Sequence, residues 1–227
     1  MPSEEIKSFF YDFQLTIDKV LDYAVTAFPN NEIVYWPPGG SRTSVTFAQL
    51  ADRVRRVAAA LMDLDLKPGR AWELGSKVAV LEWNTLRYLD LYYAVPSIGA
   101  ALFTVNAMLA PPKEIIYTMG VARPEVFIVN IDYFEPLLKP ILDNVKSIKA
   151  VIYMSDRGGR VLGQDYGVRM IPYEDLLKHE PLKEFPEIDE KTPATLMFTS
   201  GTTGLPKGGY HTHRGGLVLH TLSTALA

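Results

Sequence analysis

The sequence predicts an α/β fold in which a mainly parallel sheet is flanked by helices. Two observations carry this. Four short apolar runs, Val78-Ala79-Val80-Leu81, Ala101-Leu102-Phe103-Thr104-Val105, Val126-Phe127-Ile128-Val129 and Ala150-Val151-Ile152-Tyr153, read as strands. Between them lie helical stretches, one from Asn84, one from Pro112 and one around residues 137–141. An apolar run without alternation suits a strand covered on both faces, and strands separated by helices run parallel through right-handed crossovers. With 227 residues, 48% of them hydrophobic, the chain has enough material for a substantial core.

Taken in order, Ile17, Leu21, Ala24 and Phe28 recur at helical spacing and Pro29-Asn30-Asn31 ends that helix. Ile33-Val34-Tyr35 reads as a strand, Pro37-Pro38-Gly39-Gly40 reverses the chain, and Ser44-Val45 pairs back. Thr46 and Gln49 form a capping-box pattern for a helix with Phe47, Leu50, Val54, Val57 and Leu61 on its apolar side, closed by Pro68-Gly69. In the alternating region Asn84 is read as a helix cap and Asn106 as an Asx turn. Tyr88, Tyr92 and Tyr93 are read as core residues with their hydroxyls at its rim. Residues 155–168 are rich in glycine and charge and make a surface hairpin or loop; residues 181–193 make an acidic connector. Thr195-Leu196-Met197-Phe198 is a buried strand and Tyr210-His211-Thr212-His213 its returning partner, after which Leu217-Val218-Leu219 begins a helix. No internal repeat is present.

A net charge of −3, with basic residues scattered, argues against a nucleic-acid surface or a polybasic membrane anchor. The absence of cysteine removes disulfides, thiolate metal sites and cysteine nucleophiles. The start, Met1-Pro2-Ser3-Glu4-Glu5, is acidic rather than basic, and no run approaches the roughly eighteen apolar residues of a membrane span. The expectation is a cytoplasmic protein with no integral membrane segment and no nucleic-acid partner.

The most informative stretch is Thr199-Ser200-Gly201-Thr202-Thr203-Gly204-Leu205-Pro206-Lys207-Gly208. Glycines let a backbone turn sharply and present its N–H groups, Thr199, Ser200, Thr202 and Thr203 add hydroxyl donors, and Lys207 adds a point charge. That combination suits a polyphosphate, and a nucleoside triphosphate is its natural guest. A run of this composition is longer than chain reversal requires, although Gly/Thr/Pro turns are common. It is not a Walker A loop: Pro206 precedes the lysine and Gly208 follows it, where that loop needs Gly-Lys and then Ser or Thr opening a helix. A flap between two strands is expected instead. His211 and His213, two apart, are compatible with a metal, but without a third ligand nearby the case is weak.

At these residues a resemblance emerges. TSGTTGLPKG resembles the phosphate-binding signature of the AMP-forming adenylating enzymes, which include acyl-CoA synthetases, luciferases and the adenylation domains of peptide synthetases. Residues 84–117 are similar to the corresponding stretch of medium- and long-chain fatty-acyl-CoA ligases, with Ala-Val-Pro, Ile-Gly-Ala, Thr-Val-Asn and Glu-Ile landmarks in order. Gly209 stands where valine is usual, and Ala107-Met108 replaces the usual Pro-Arg.

The resemblance implies that residues 1–227 are a partial N-terminal portion of the family's large domain, with the remainder of that domain and a C-terminal domain elsewhere. It implies a carboxylic acid, favoured as a medium- or long-chain fatty acid, ATP and coenzyme A as substrates, with Mg2+. The acid attacks the α-phosphorus of ATP to give acyl-adenylate and pyrophosphate, and the thiol of coenzyme A then releases AMP. Thr199, Ser200, Gly201, Thr202, Thr203, Gly204 and Lys207 would grip the phosphates, Thr199 on the magnesium side and Lys207 in the catalytic role of charge stabilisation. The family's adenine-binding Thr-Glu, ribose-binding Thr-Gly-Asp and mobile C-terminal lysine have no match in these residues, so the chain alone is expected to be inactive. A homo-oligomer is allowed, through apolar surface on the unfinished side of the domain. Two rival readings stand beside this one: a non-catalytic nucleotide-binding or assembly domain, and a P-loop-like phosphotransferase.

Overall fold

The computed structural model describes residues 13–36, 40–108, 112–157, 160–163, 165–199 and 204–226. Helix α1 (Ile17–Ala27) turns Ile17 and Leu21 inward. Strands β1 (Glu32–Tyr35) and β2 (Thr43–Thr46) form the expected hairpin, with Tyr35 opposite Thr43; Pro37, Pro38 and Gly39 lie outside the described residues. Thr46 then caps α2 (Phe47–Met62). Its Oγ1 accepts from the Gln49 N–H at 3.2 Å, and its own N–H donates to Gln49 Oε1 at 2.8 Å. The reciprocal pair satisfies two N–H groups that a helix start leaves without partners. The helix ends at Met62, ahead of Pro68-Gly69. Gly69 instead makes a close backbone contact, its N–H donating to the Gly99 carbonyl at 2.8 Å. A Cβ there would come within 2.6 Å of the Glu73 carbonyl oxygen, so only glycine permits this approach.

Strand and helix then alternate: β3 (Lys77–Leu81), α3 (Leu86–Ser97), β4 (Ala101–Thr104), α4 (Pro112–Ala122), β5 (Val126–Asn130), α5 (Ile131–Asn144) and β6 (Ala150–Met154). The cap of α3 is Thr85, whose Oγ1 accepts from the Tyr88 N–H, and not Asn84. The Asx turn at Asn106 is present, its Oδ1 accepting from the Met108 N–H at 2.9 Å. Tyr88, Tyr92 and Tyr93 pack, half-buried, against the core. Two elements were not anticipated from sequence: β7 (Arg169–Pro172) and the short α6 (Tyr173–Leu176). β7 is an edge strand, where a proline's missing N–H costs little. The chain continues through β8 (Pro193–Thr199) and β9 (Lys207–Thr212) into a π-helix at His213–Val218 and α7 (Leu219–Leu226).

Seven strands form one sheet in the order β7-β6-β5-β3-β4-β8-β9, parallel throughout except for β9, which runs antiparallel to β8. Alternate side chains serve two cores. Val78, Val80, Leu102, Val126, Ile128 and Ile152 meet α2, α3 and α6 on one face. Ala79, Leu81, Phe103, Phe127, Val129 and Val151 meet α4 and α5 on the other. Every residue of β5 and β6 is buried, which is why these runs show no polar alternation. The β3–β4 crossover uses α3 on the first face, whereas the β5–β6 crossover uses α5 on the second. Neighbouring β3 and β5 therefore send their connections in opposite directions, which opens a crevice at their carboxyl ends.

Asp90 of α3, with no exposed side-chain surface, ties the first face together. It accepts from Arg53 Nε at 3.2 Å and Nη2 at 2.5 Å, and from the Tyr173 hydroxyl at 2.7 Å. Arg53→Met is expected to lower the unfolding free energy by about 3–5 kcal/mol, because it strands a carboxylate in the core. The urea midpoint reads the loss. Adding Asp90→Asn should recover part of it, since an amide leaves no charge to strand.

Candidate functional site

The glycine-rich stretch lies between two strands, as expected: β8 ends at Thr199 and β9 begins at Lys207, pairing back antiparallel. β8 is parallel to β4, so the tip stands at the carboxyl edge of the sheet, where ligands of open α/β sheets bind. Thr199 and Lys207 face each other across the neck of the hairpin as the last register pair. Both are exposed, and among the described residues no carboxylate pairs with Lys207. Gly204 has φ +103, a conformation that L side chains rarely adopt, so a glycine is required where the chain starts back. Ser200, Gly201, Thr202 and Thr203 lie outside the described residues. A hydroxyl and an unpaired ammonium at the mouth of a glycine turn are donors that fit a polyphosphate. Among the described residues no three His, Cys, Asp or Glu side chains gather as a metal site. A divalent cation at this hairpin would therefore take Thr199 Oγ1 together with phosphate and water oxygens.

The crevice between β3 and β5 is filled by protein. Asn130, fully buried at the end of β5, donates from Nδ2 to both carboxylate oxygens of Glu82 at 3.1 and 3.0 Å and to Asp156 Oδ2 at 3.2 Å. Its Oδ1 caps α5 by accepting from the Asp132 N–H. Arg87 bridges Glu82 and Asp156, and the Glu82 carboxylate also accepts from the Trp83 N–H at 2.7 Å. Burial pushes the Glu82 carboxyl above the usual carboxylate range, while Asn130, the Trp83 N–H and Arg87 pull it down. This network bridges the carboxyl ends of β3 and β5, with the buried Arg87 Nε left without a partner among the described residues, while Thr199 and Lys207 stand exposed at the β8–β9 hairpin.

The foot of the hairpin is built differently. Glu190, just before β8, accepts from the Leu15 N–H at 3.0 Å and from Arg214 Nη1 at 2.6 Å, while its own N–H donates to Gln14 Oε1 at 3.0 Å. His213 is fully buried, and its Nδ1 accepts from the Ile17 N–H at 3.2 Å. His211, by contrast, is exposed in β9, so the two histidines do not form the paired face that would suit a metal. β9 ends at Thr212, which caps the π-helix by accepting from the Gly215 N–H. Neither Glu190 nor His213 was legible as a partner of residues 14–17, since the contacts span 175 and more positions.

Comparison with known proteins follows the same lines. The family model described as AMP-binding enzyme matches residues 21–225. A medium-chain-fatty-acid–CoA ligase of Ectopseudomonas oleovorans is 31% identical over 214 residues, covering 94% of this chain and 37% of its own length. A long-chain-fatty-acid–CoA ligase of Thermus thermophilus is 31% identical over 217 residues, covering 95% of this chain and 36% of its own. The chain thus spans little more than a third of the length of such relatives, and it corresponds to their N-terminal part. Among solved structures, acetoacetyl-CoA synthetase from Streptomyces lividans superposes with a TM-score of 0.79 at 19% identity, over 91% of this chain and 32% of that one. The anthranilate CoA ligase AuaEII in complex with anthranoyl-AMP gives 0.72 at 22% identity, over 88% and 35%. At such identities the structures establish the shared fold.

The buried histidine makes the foot of the hairpin acid-sensitive. Burial lowers the His213 imidazole from its ordinary 6.5 to about 4, against the pull of Asp18 and the Pro96 carbonyl. The unfolded chain therefore binds the extra proton between those values. Stability from this residue is complete above pH 6.5 and falls as the pH drops toward 4. The expected loss is about 3 kcal/mol. Denaturation midpoints at pH 7 and pH 4.5 measure it, and His213→Asn should flatten the dependence in that window.

Proposed function

The chain belongs to the AMP-binding enzyme family, and from that premise we propose that it is the phosphate-gripping part of a cytoplasmic acid–thiol ligase. In this reading the whole protein joins a carboxylic acid to coenzyme A at the expense of ATP, with no nucleic-acid partner. The observation that carries the proposal is the Thr199–Lys207 pair across the neck of a glycine hairpin at the carboxyl edge of the sheet. Thr199, Ser200, Gly201, Thr202, Thr203, Gly204 and Lys207 hold the phosphates, the Thr199 hydroxyl lies on the magnesium side, and Mg2+ when bound neutralises phosphate charge. The Lys207 ammonium stabilises charge building on the departing pyrophosphate as the carboxylate attacks the α-phosphorus. This is catalysis by positioning and electrostatics. A fatty acid is the favoured substrate, on the likeness to ligases named for medium- and long-chain fatty acids.

We further propose that residues 1–227 form the N-terminal part of the large domain, and that the groups for adenine, ribose and the second half-reaction come from the additional length the relatives possess. Self-association belongs to the same reading, since Tyr210, Leu219 and Leu222 are exposed beside the hairpin and π-helix. No helix among the described residues is long and apolar enough to cross a membrane.

Titration of the chain with ATP and with inorganic tripolyphosphate is the direct test. The two should bind with similar affinity, because only the phosphates find partners here, and Lys207→Ala should weaken both about tenfold, the worth of one charged contact of about 1.4 kcal/mol. Acid-dependent exchange of labelled pyrophosphate into ATP, tried with acids from acetate to palmitate, should require the longer protein. Release of ADP without an organic acid would instead indicate a phosphotransferase, and ATP binding unaffected by Lys207→Ala would remove the hairpin from the site.

A further inference from the structure

β9 does not set its own register. It reads Lys-Gly-Gly-Tyr-His-Thr, and five of its six residues are exposed, so no apolar alternation holds it against β8. Strands of that kind slip readily. Shape does not prevent a slip either. The Phe198 ring lies 3.0 Å from where a Cβ on Gly208 would stand, so a glycine fits best opposite it, and the next residue, Gly209, is a glycine too. A one-residue slip would place a glycine opposite Phe198 again. It would also bring Gly208 opposite Thr199 and turn Lys207 to the other face of the sheet, because side chains alternate with period two. The β8–β9 ladder already carries a register shift between Pro193 and Thr195, a place where a one-residue offset is absorbed.

What distinguishes the two registers is the foot of the hairpin. Arg214 is held twice by Glu190, its side chain by the carboxylate and its N–H by the carbonyl at 2.9 Å. The His213 N–H donates to the Thr192 carbonyl at 3.2 Å. Glu190, only 8% exposed, is itself fixed by Leu15 and Gln14, so the end of β9 is fastened to a point that does not move with β9. We propose that Glu190 is a positioning residue: by anchoring Arg214 at the foot of the hairpin it sets the register of β9, and so keeps Lys207 opposite Thr199 about 17 Å away. The functional half of this inference rests on the hairpin being the phosphate grip.

Because the chain contains no cysteine, disulfide trapping reads the register directly. Met197→Cys with Gly209→Cys captures the native register, in which these positions are opposite. Met197→Cys with Tyr210→Cys captures the slipped one. In the parent chain only the first pair should cross-link. With Glu190→Ala the second should form in comparable yield, and the dissociation constant for tripolyphosphate, measured without the cysteines, should rise about tenfold to that of Lys207→Ala. Glu190→Gln, whose single amide oxygen can serve either the Leu15 N–H or Arg214 while its NH2 group faces the other donor, should restore only part of both. Should Glu190→Ala fail to fold, Arg214→Met, which spares the Leu15 contact, carries the same two measurements with the same expected shift. A solely native cross-link in these variants would overturn the inference, as would slippage without loss of affinity. A parent chain that binds no tripolyphosphate would instead sink the phosphate reading, and the cross-link result would still decide the register.

Discussion

Burial of the central strands on both faces is the constraint on which the rest of this structure depends. Every residue of β5 and β6 is inside, so each strand needs an apolar layer above and below, and the helices are distributed to supply both. With α3 on one face and α5 on the other, the crossovers from β3 and β5 diverge, and the divergence leaves a gap at the carboxyl edge. A gap there exposes the last polar groups of strands that are otherwise dry. The Glu82–Asn130–Arg87–Asp156 network pairs most of them across the crevice where a ligand would ordinarily sit, the buried Arg87 Nε alone among its donors keeping no partner among the described residues.

Closure of the switch point gives the antiparallel hairpin its importance. β8 continues the parallel sheet and delivers Thr199 to the carboxyl edge; β9 returns along it and delivers Lys207 to the same place. Thr199 and Lys207 stay opposite each other only if the strands that carry them are held. Glu190, His213 and the N-terminal residues hold them from the opposite end. The exposed pair at the neck and the buried contacts at the foot are thus separated along one hairpin.

Much of this was readable from the residues. The capping box at Thr46 and Gln49 is local, and it formed as its spacing implies. The four central strands declared themselves because strands covered on both faces are apolar along nearly their whole length, the buried Asn130 at the end of β5 being held by side-chain partners. The hairpin around the glycine run followed from the apolar Thr195-Leu196-Met197-Phe198 before it and the Tyr210-His211-Thr212-His213 stretch after it, of which β9 takes in all but His213. The errors were local competitions. Thr85 displaced Asn84 as a cap one residue on, and α2 ended at Met62 because the following segment turned under the Gly69–Gly99 contact. β7 was invisible because Arg169 is exposed and its other three residues are only partly buried, so it carries a weak pattern.

The sequence by itself determined the α/β class, the central strands and most of the helices, the hairpin around residues 199–208 and the family resemblance, because each is written in neighbouring residues or in a contiguous motif. Tertiary structure alone decided the strand order, the closing of the switch point, and the roles of Glu82, Asn130, Glu190 and His213. Each of those side chains meets at least one partner 48 to 196 positions away. Whether a buried carboxylate or imidazole is a liability or an anchor depends on which donors the folded chain brings to it, and no local pattern in a sequence records that.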